Sequence, residues 1–277
     1  NADGEVDFKP AAIAVTDRVR LEQTIFADDF EFLKGVVDAG VTPKLTIPSP
    51  NMVHYRGGRA ALDPSVYPDV DQFWADLATA YADQVRAIAA LGCTYLQFDD
   101  TSLAYLNDPA QRDAMEQRGE DSAHLHETYV RNINNALAGR PAGLAVTTHL
   151  CRGNFRSSWA AEGGYDFVAE ALFGGLDVDG FFLEYDDARS GGFEPLRFVA
   201  PGKMVVLGLV TTKRGELESK DKLKRRIEDA SRYVPIEQLC LSPQCGFSST
   251  VEGNVVTYDD QVAKLELIVE TASEVWG

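Results

Sequence analysis

The stretch VTTHLCRGN, Val146 to Asn154, ends an apolar, β-branched run with a histidine and a cysteine two positions apart. In an extended strand, residues two apart face the same side, so His149 and Cys151 point into one space. Two further strand-like runs end in metal-capable groups. FFLEYDD delivers Glu184, and LSPQCGF delivers Cys245 in a turn punctuated by Pro243 and Gly246. Imidazole nitrogen, thiolate sulfur and carboxylate oxygen are the ligands zinc takes, four in a structural site and three plus an open position in a catalytic one. Each member also has a plainer reading. A strand-end cysteine can be a small buried hydrophobe, His149 can be a hydrogen-bonded barrel histidine, and Glu184 can pair with Arg189 in EYDDARSGG. Cys93 in LGCTYL and Cys240 in QLCLS sit in apolar context and take the buried reading.

The elements that must position these groups alternate along the chain. Strand-like runs begin at Lys44 (KLTIPSP), Tyr95 (YLQFDD), Leu144 (LAVTTHLC), Gly180 (GFFLEYD), Met204 (MVVLGLV) and Leu239 (LCLSPQCG). Helical stretches with apolar residues near a 3.6 period begin at Asp71, His124, Tyr165, Lys220 and Gln261. Strand–helix alternation of this kind predicts an α/β fold with a parallel sheet. A doubly wound nucleotide-binding sheet carries a glycine-rich turn after its first strand, and neither G-x-G-x-x-G nor a P-loop pattern is present. Polar groups instead end several different strands: Asp99 and Asp100, His149 and Cys151, Glu184, Cys245. That is the distribution of a (β/α)8 TIM-type barrel. The six runs are expected to be strands three to eight, from about residue 42, of a single domain over 1–277. The first two strands are expected upstream of residue 1, and residues 1–25 are expected to hold an N-terminal hairpin (AIAVTDRV with RLEQT).

Composition excludes some partners. The chain has 277 residues, 45% hydrophobic and 25% charged, enough for a sizeable core. A formal net charge of −17 argues against nucleic acid and anionic membrane, which need basic patches. No apolar run of about eighteen residues predicts a membrane span. NADGEVDFKP does not read as an export signal, and four cysteines make no disulfide framework, so reduced thiols in the cytoplasm are expected.

THLCRGN, FFLEYDDARSG and LCLSPQCGFSST, in this order, resemble the zinc-binding catalytic domain of cobalamin-independent methionine synthase, and most closely its short single-barrel bacterial relatives. KLTIPSPNMVHYRGG and YLQFDDTSLAYL resemble further blocks, so the similarity runs from about Thr42 to the C-terminus. The resemblance implies a (β/α)8 barrel and one Zn2+ held by His149, Cys151, Glu184 and Cys245, the set suggested by spacing. It also maps the family's Q-I-D-E-P block onto Gln97–Thr101, which makes Asp99 the acid that holds a substrate amino group.

Two thiolates, a carboxylate and a neutral imidazole carry three negative charges against the two positive charges of zinc. Such an electron-rich ion suits a nucleophilic thiolate better than a hydroxide, which favours alkyl transfer to sulfur over hydrolysis. The resemblance therefore implies a methyltransferase of the 5-methyltetrahydropteroyltriglutamate–homocysteine type, with Glu184 as the ligand that gives way to substrate and Asp99 beside it. The alternatives are zinc-dependent alkyl transfer to another thiol, such as coenzyme M with an epoxide, and a non-catalytic zinc barrel. The expected partners are a small thiol and a methyl donor of folate or corrinoid type, and a homo-oligomer is allowed. Where the folate-dependent enzymes carry a histidine, LGLVTTKRGELES has Lys213 or Arg214, whose plain reading is a solvated loop. His54 and Arg56 form a cationic pair able to bind an anionic substrate group, against the plain reading of a satisfied loop histidine. Trp159 is read as packing, and His124 and His126 as surface residues.

Overall fold

Residues 13–277 are described by a computed structural model. Its sheet contains β1 (Leu45–Pro48), β2 (Tyr95–Asp100), β3 (Ala145–Leu150), β4 (Gly180–Glu184), β5 (Met204–Val210) and β6 (Leu239–Pro243). Every neighbouring pair is parallel, and spatial order equals chain order. A doubly wound sheet reverses direction at a switch point, whereas an order without reversal is that of a barrel wall. The expected barrel architecture is therefore the observed one, with β1 and β6 as the sheet edges among the described residues.

Helices α1 (Ala27–Val36), α2 (Val70–Ala90), α3 (Ser102–Tyr105), α4 (Pro109–Gln117), α5 (Leu125–Leu137), α6 (Lys220–Ala230) and α7 (Tyr258–Trp276) complete the chain. The Asp69 carboxylate accepts from Asp71 N at the start of α2, satisfying one of the donors a helix N-terminus leaves open. The helix is released at Gly92, whose φ of +95° suits glycine. Thr257 and Asp260 form a reciprocal capping box that starts α7.

Strand alternation sorts the side chains into two faces. Leu96, Phe98, Val146, Leu150, Phe181, Leu183, Val205 and Leu207 are at most 1% exposed and form the main core with α5 and the crossovers. Burying each such side chain contributes about 1.5–3 kcal/mol. Gln97, Asp99, Thr147, His149, Phe182 and Glu184 occupy the opposite face. There the register sets Gln97 beside Thr147, and Asp99 beside His149, which in turn neighbours Phe182.

Two expected elements differ. The N-terminal hairpin falls partly on residues 1–12, outside those described. From Val15 onward the backbone bonds elsewhere: Val15 N donates to Ala61 O at 2.8 Å and Val15 O accepts from Asp63 N at 2.9 Å. Val15 packs with Leu62, Tyr67, Phe73 and Leu77, so a small apolar cluster outcompetes a local hairpin. The helix expected from Tyr165 is reduced to a wide π-type turn over Glu170–Gly174.

Candidate metal centre

His149, Cys151, Glu184 and Cys245 converge at the C-terminal ends of β3, β4 and β6. Each offers a ligand atom, and all four atoms lie within 4.8 Å of one another. Cys151 Sγ is 3.3 Å from Cys245 Sγ, and the Cys245 thiol donates to Glu184 Oε1 at 2.7 Å. His149 Nε2 is 3.5 Å from the same carboxylate oxygen. Zinc bonds of about 2.0–2.3 Å at tetrahedral angles separate ligand atoms by roughly 3.3–3.8 Å. The observed separations bracket that range, and the donor set is the soft, sulfur-rich one zinc accepts, so these residues fit the ion.

Neighbours hold the cluster in place. Asp99 Oδ1 stands 3.4 Å from His149 Nδ1, the carboxylate-to-histidine support that orients a metal-binding imidazole toward its other nitrogen. The Tyr165 hydroxyl accepts from Glu184 N at 3.0 Å and donates to Glu184 O at 3.4 Å, pinning the end of β4. Gly153 has φ +83°, and a Cβ there would fall 2.7 Å from the Tyr105 hydroxyl. Glycine thus lets the chain turn so that Gly153 N donates to Cys151 Sγ at 3.3 Å. Burial pushes the Glu184 carboxyl up, but His149 and the charge of Lys213 outweigh it and hold it at about 2. Burial likewise opposes protonation of His149, yet bonding to Asp99, Cys245 and Glu184 raises it well above an ordinary histidine. Cys151 beside it, burial and the Glu184 charge raise the Cys245 thiol.

Cluster residues line one of two cavities. One, about 230 Å3, runs from His149, Glu184 and Cys245 to Gln97, Phe182 and Lys44. The other, about 490 Å3, is lined by Trp159, Asp186, Asp187, Thr211, Lys213 and Arg214 among others. Arg189 does not pair with Glu184. It binds Asp186 at 2.9 Å and Asp187 at 3.2 Å, stacks 4.3 Å over Trp159, and leaves Glu184 to the cluster. Trp159 is therefore a cleft wall, 38% exposed, more than packing. Lys213, read from sequence as solvated, is 5% exposed and donates to Gln244 Oε1 at 2.6 Å because Asp186 and Thr211 fold the loop inward. Arg214 stays exposed. His126 is half-buried against Phe167, while His124 is exposed.

The pair His54 and Arg56 lines neither cavity. Arg56 donates from Nε to the Tyr55 hydroxyl at 2.8 Å and is exposed. His54 is 2% exposed, bonded through Nδ1 to the Tyr129 hydroxyl at 3.1 Å, with Nε2 3.7 Å from Glu120 and the Trp74 ring beside it. Burial lowers it to about 4 against the pull of Glu120, with Arg118 adding to the lowering. An unfolded histidine takes a proton near pH 6.5, so between about pH 6.5 and 4 unfolding takes up a proton and stability falls as pH falls. Replacing His54 by Gln is expected to flatten that limb of the stability curve by a few kcal/mol. Denaturant midpoints measured at pH 7 and pH 4.5 check this, and equal slopes for both proteins contradict it.

Known proteins resemble this chain over most of its length. The profile described as cobalamin-independent synthase, catalytic domain, matches residues 46–274. YxjG of Bacillus subtilis, a protein named as uncharacterized, is 49% identical over 273 residues, covering 98% of this chain and 71% of its own. A crystal structure from Listeria monocytogenes, of a candidate vitamin-B12-independent methionine synthase, superposes with a TM-score of 0.76 at 39% identity, over 95% of this chain and 73% of that one. A B12-independent methionine synthase from Shewanella, solved with selenomethionine, shares the fold with a TM-score of 0.65 at 17% identity, over 92% of this chain and 67% of its own.

Proposed function

The chain belongs to the family of cobalamin-independent synthase catalytic domains, a methionine-synthase-like methyltransferase family, and on that premise we propose that it moves a methyl group onto a thiol, homocysteine by default, with Zn2+ held by His149, Cys151, Glu184 and Cys245. The observation that carries this reading is the convergence of the four donor atoms within 4.8 Å. A zinc ion there supplies the substrate sulfur in its deprotonated, nucleophilic form at neutral pH, where a free thiol is mostly protonated.

The chain's own groups do the rest. Asp99 orients His149 and, with its side chain 43% exposed, has lone pairs left for a substrate amino group. Tyr165 fixes the Glu184 backbone so that its carboxylate faces the two sulfurs. The larger cleft, lined by Asp186 two residues past Glu184, is the place for a methyl donor of folate or corrinoid type. Lys213 lines it, at the place where the folate-dependent enzymes carry a histidine. No helix among the described residues is long and apolar enough to cross a membrane.

Zinc-edge absorption on the metal-loaded protein tests the reading. Adding L-homocysteine is expected to raise the number of coordinated sulfurs and, with a suitable methyl donor, to yield methionine. Asp99→Asn is expected to keep its zinc through dialysis while thiol affinity drops about tenfold or more. A coordination shell indifferent to every thiol tried overturns the proposal and leaves a metal that only ties strand ends together.

A further inference from the structure

Part of the seam between α2 and α5 is polar, where two packed helices ordinarily meet through apolar side chains. Asp71, Trp74 and Ala75 stand three and four residues apart on α2, and Thr128, Arg131 and Asn132 repeat that spacing on α5. Each trio therefore shares one helix face. A cavity of about 180 Å3 lies between the two faces. None of its lining residues belongs to the four-residue cluster or to either of the other two cavities.

Asn132 is the buried member of the lining, 2% exposed, and a relay that starts at Asp100 fixes how its amide points. A carboxylate only accepts, so Asp100 Oδ2 takes the Nδ2 of Asn51, at 3.2 Å. Asn51 must then offer its oxygen, which accepts from Asn132 Nδ2 at 3.1 Å. The Asn132 oxygen is left buried with no partner, and an unpaired buried acceptor is costly. Two charges in the same lining are also unpaired. Among the described residues neither the Asp71 carboxylate nor the Arg131 guanidinium has an opposite charge within ion-pair distance, and Arg131 donates only to Thr128 Oγ1, at 2.9 Å. The Trp74 ring, its centroid 4.7 Å from that of His54, supplies an apolar wall.

We infer that this cavity between α2 and α5 is a binding site for a small zwitterion, an α-amino acid with a short apolar side chain. Its ammonium meets Asp71 and the Asn132 oxygen, its carboxylate meets Arg131, and its side chain lies on Trp74. A carboxylate and a guanidinium that share a cavity without pairing fit a ligand that carries both opposite charges. A simple amine leaves Arg131 unmatched, and a simple acid leaves Asp71 and the buried oxygen unmatched. Drug-sized ligands occupy roughly 300–1,000 Å3, so this smaller space selects a small molecule. The site stands apart from the metal cluster and does not depend on methyl-transfer chemistry.

The chain has three tryptophans, so indole N–H resonances of an isotope-labelled sample separate the regions. Trp74 reads this cavity and Trp159 the larger cleft. The full chain is titrated with L-valine, with isobutylamine, which lacks the carboxylate, and with isovalerate, which lacks the ammonium. L-Valine is expected to move the Trp74 signal saturably, with a Kd of about 1 mM for so small a ligand. Each single-charge analogue is expected to bind about threefold to tenfold more weakly, and Asp71→Asn and Arg131→Gln to weaken L-valine by a similar factor. Ala75→Phe, on the exposed side of α2, fills the cavity and is expected to abolish the Trp74 response while the Trp159 and Trp276 signals stay in place. A Trp74 signal indifferent to L-valine at a concentration about a hundredfold higher overturns the assignment and leaves a groove that holds water alone. Equal binding of isobutylamine, which marks a plain cation site, overturns it too. So does a response confined to Trp159, or one that survives Ala75→Phe.

Discussion

Cys245→Ser is expected to leave the chain folded and nearly free of zinc, with methyl transfer lost in parallel. Cys245 touches every other member of the cluster's acid–thiol core: its sulfur lies 3.3 Å from Cys151 Sγ and 2.7 Å from Glu184 Oε1. Serine keeps the shape but replaces a soft thiolate by a hydroxyl that stays protonated and binds zinc weakly. Structural zinc binding is worth about 10–16 kcal/mol in small peptides. An even share per ligand is ~3 kcal/mol, on the order of a hundredfold in affinity. Competition with a chelator of intermediate strength, followed by metal analysis, reads this directly. Cys240→Ser is the matched control. Cys240 lies on β6 outside the four-residue cluster and is expected to retain its metal. Unchanged zinc in Cys245→Ser contradicts the ligand set.

The convergence of the four residues was legible because each lies at or just past the end of a strand, and parallel strands deliver their C-terminal ends to one rim. The pairing of His149 with Cys151 follows from period-2 geometry, and Glu184 and Cys245 from apolar runs that stop at a polar group. What surrounds them was less visible. Arg189 was equally available to Glu184 on paper, and only the fold sends it to Asp186, Asp187 and Trp159. Lys44 opens a strand-like run, and nothing local says that Phe182 and Gln97, from strands far along the chain, meet it. His54 read either as an anion binder or as a satisfied loop histidine, and its partners Tyr129, Glu120 and Trp74, which come from distant segments, bury it. Period-2 alternation also separates two acids that composition treats alike. Asp99 faces the cluster, while Asp100 faces the opposite side of the sheet and is fully buried.

That buried acid carries the largest expected effect on stability. Asp100 accepts from Ser49 Oγ at 2.5 Å, Asn51 Nδ2 at 3.2 Å, Ser102 Oγ at 2.7 Å and Leu103 N at 2.9 Å. Among the described residues no cation pairs with it, so these four donors alone compensate its desolvation. They also join the loop after β1 to the start of α3, two segments with no direct strand pairing. Asp100→Ala removes every acceptor at once and strands the Leu103 N–H and the Asn51 amide in a dry site, each at about 1–3 kcal/mol. The expected loss is roughly 3–5 kcal/mol, in the range that marks a broken buried network. Asp100→Asn is expected to recover part of it, because one amide oxygen can still accept while its NH2 opposes the remaining donors. Urea midpoints for both variants beside Asp99→Asn decide the matter. Asp99, open to solvent and facing the cluster, is expected to shift the midpoint little, whereas comparable losses at 99 and 100 contradict the division of labour between the two faces of β2.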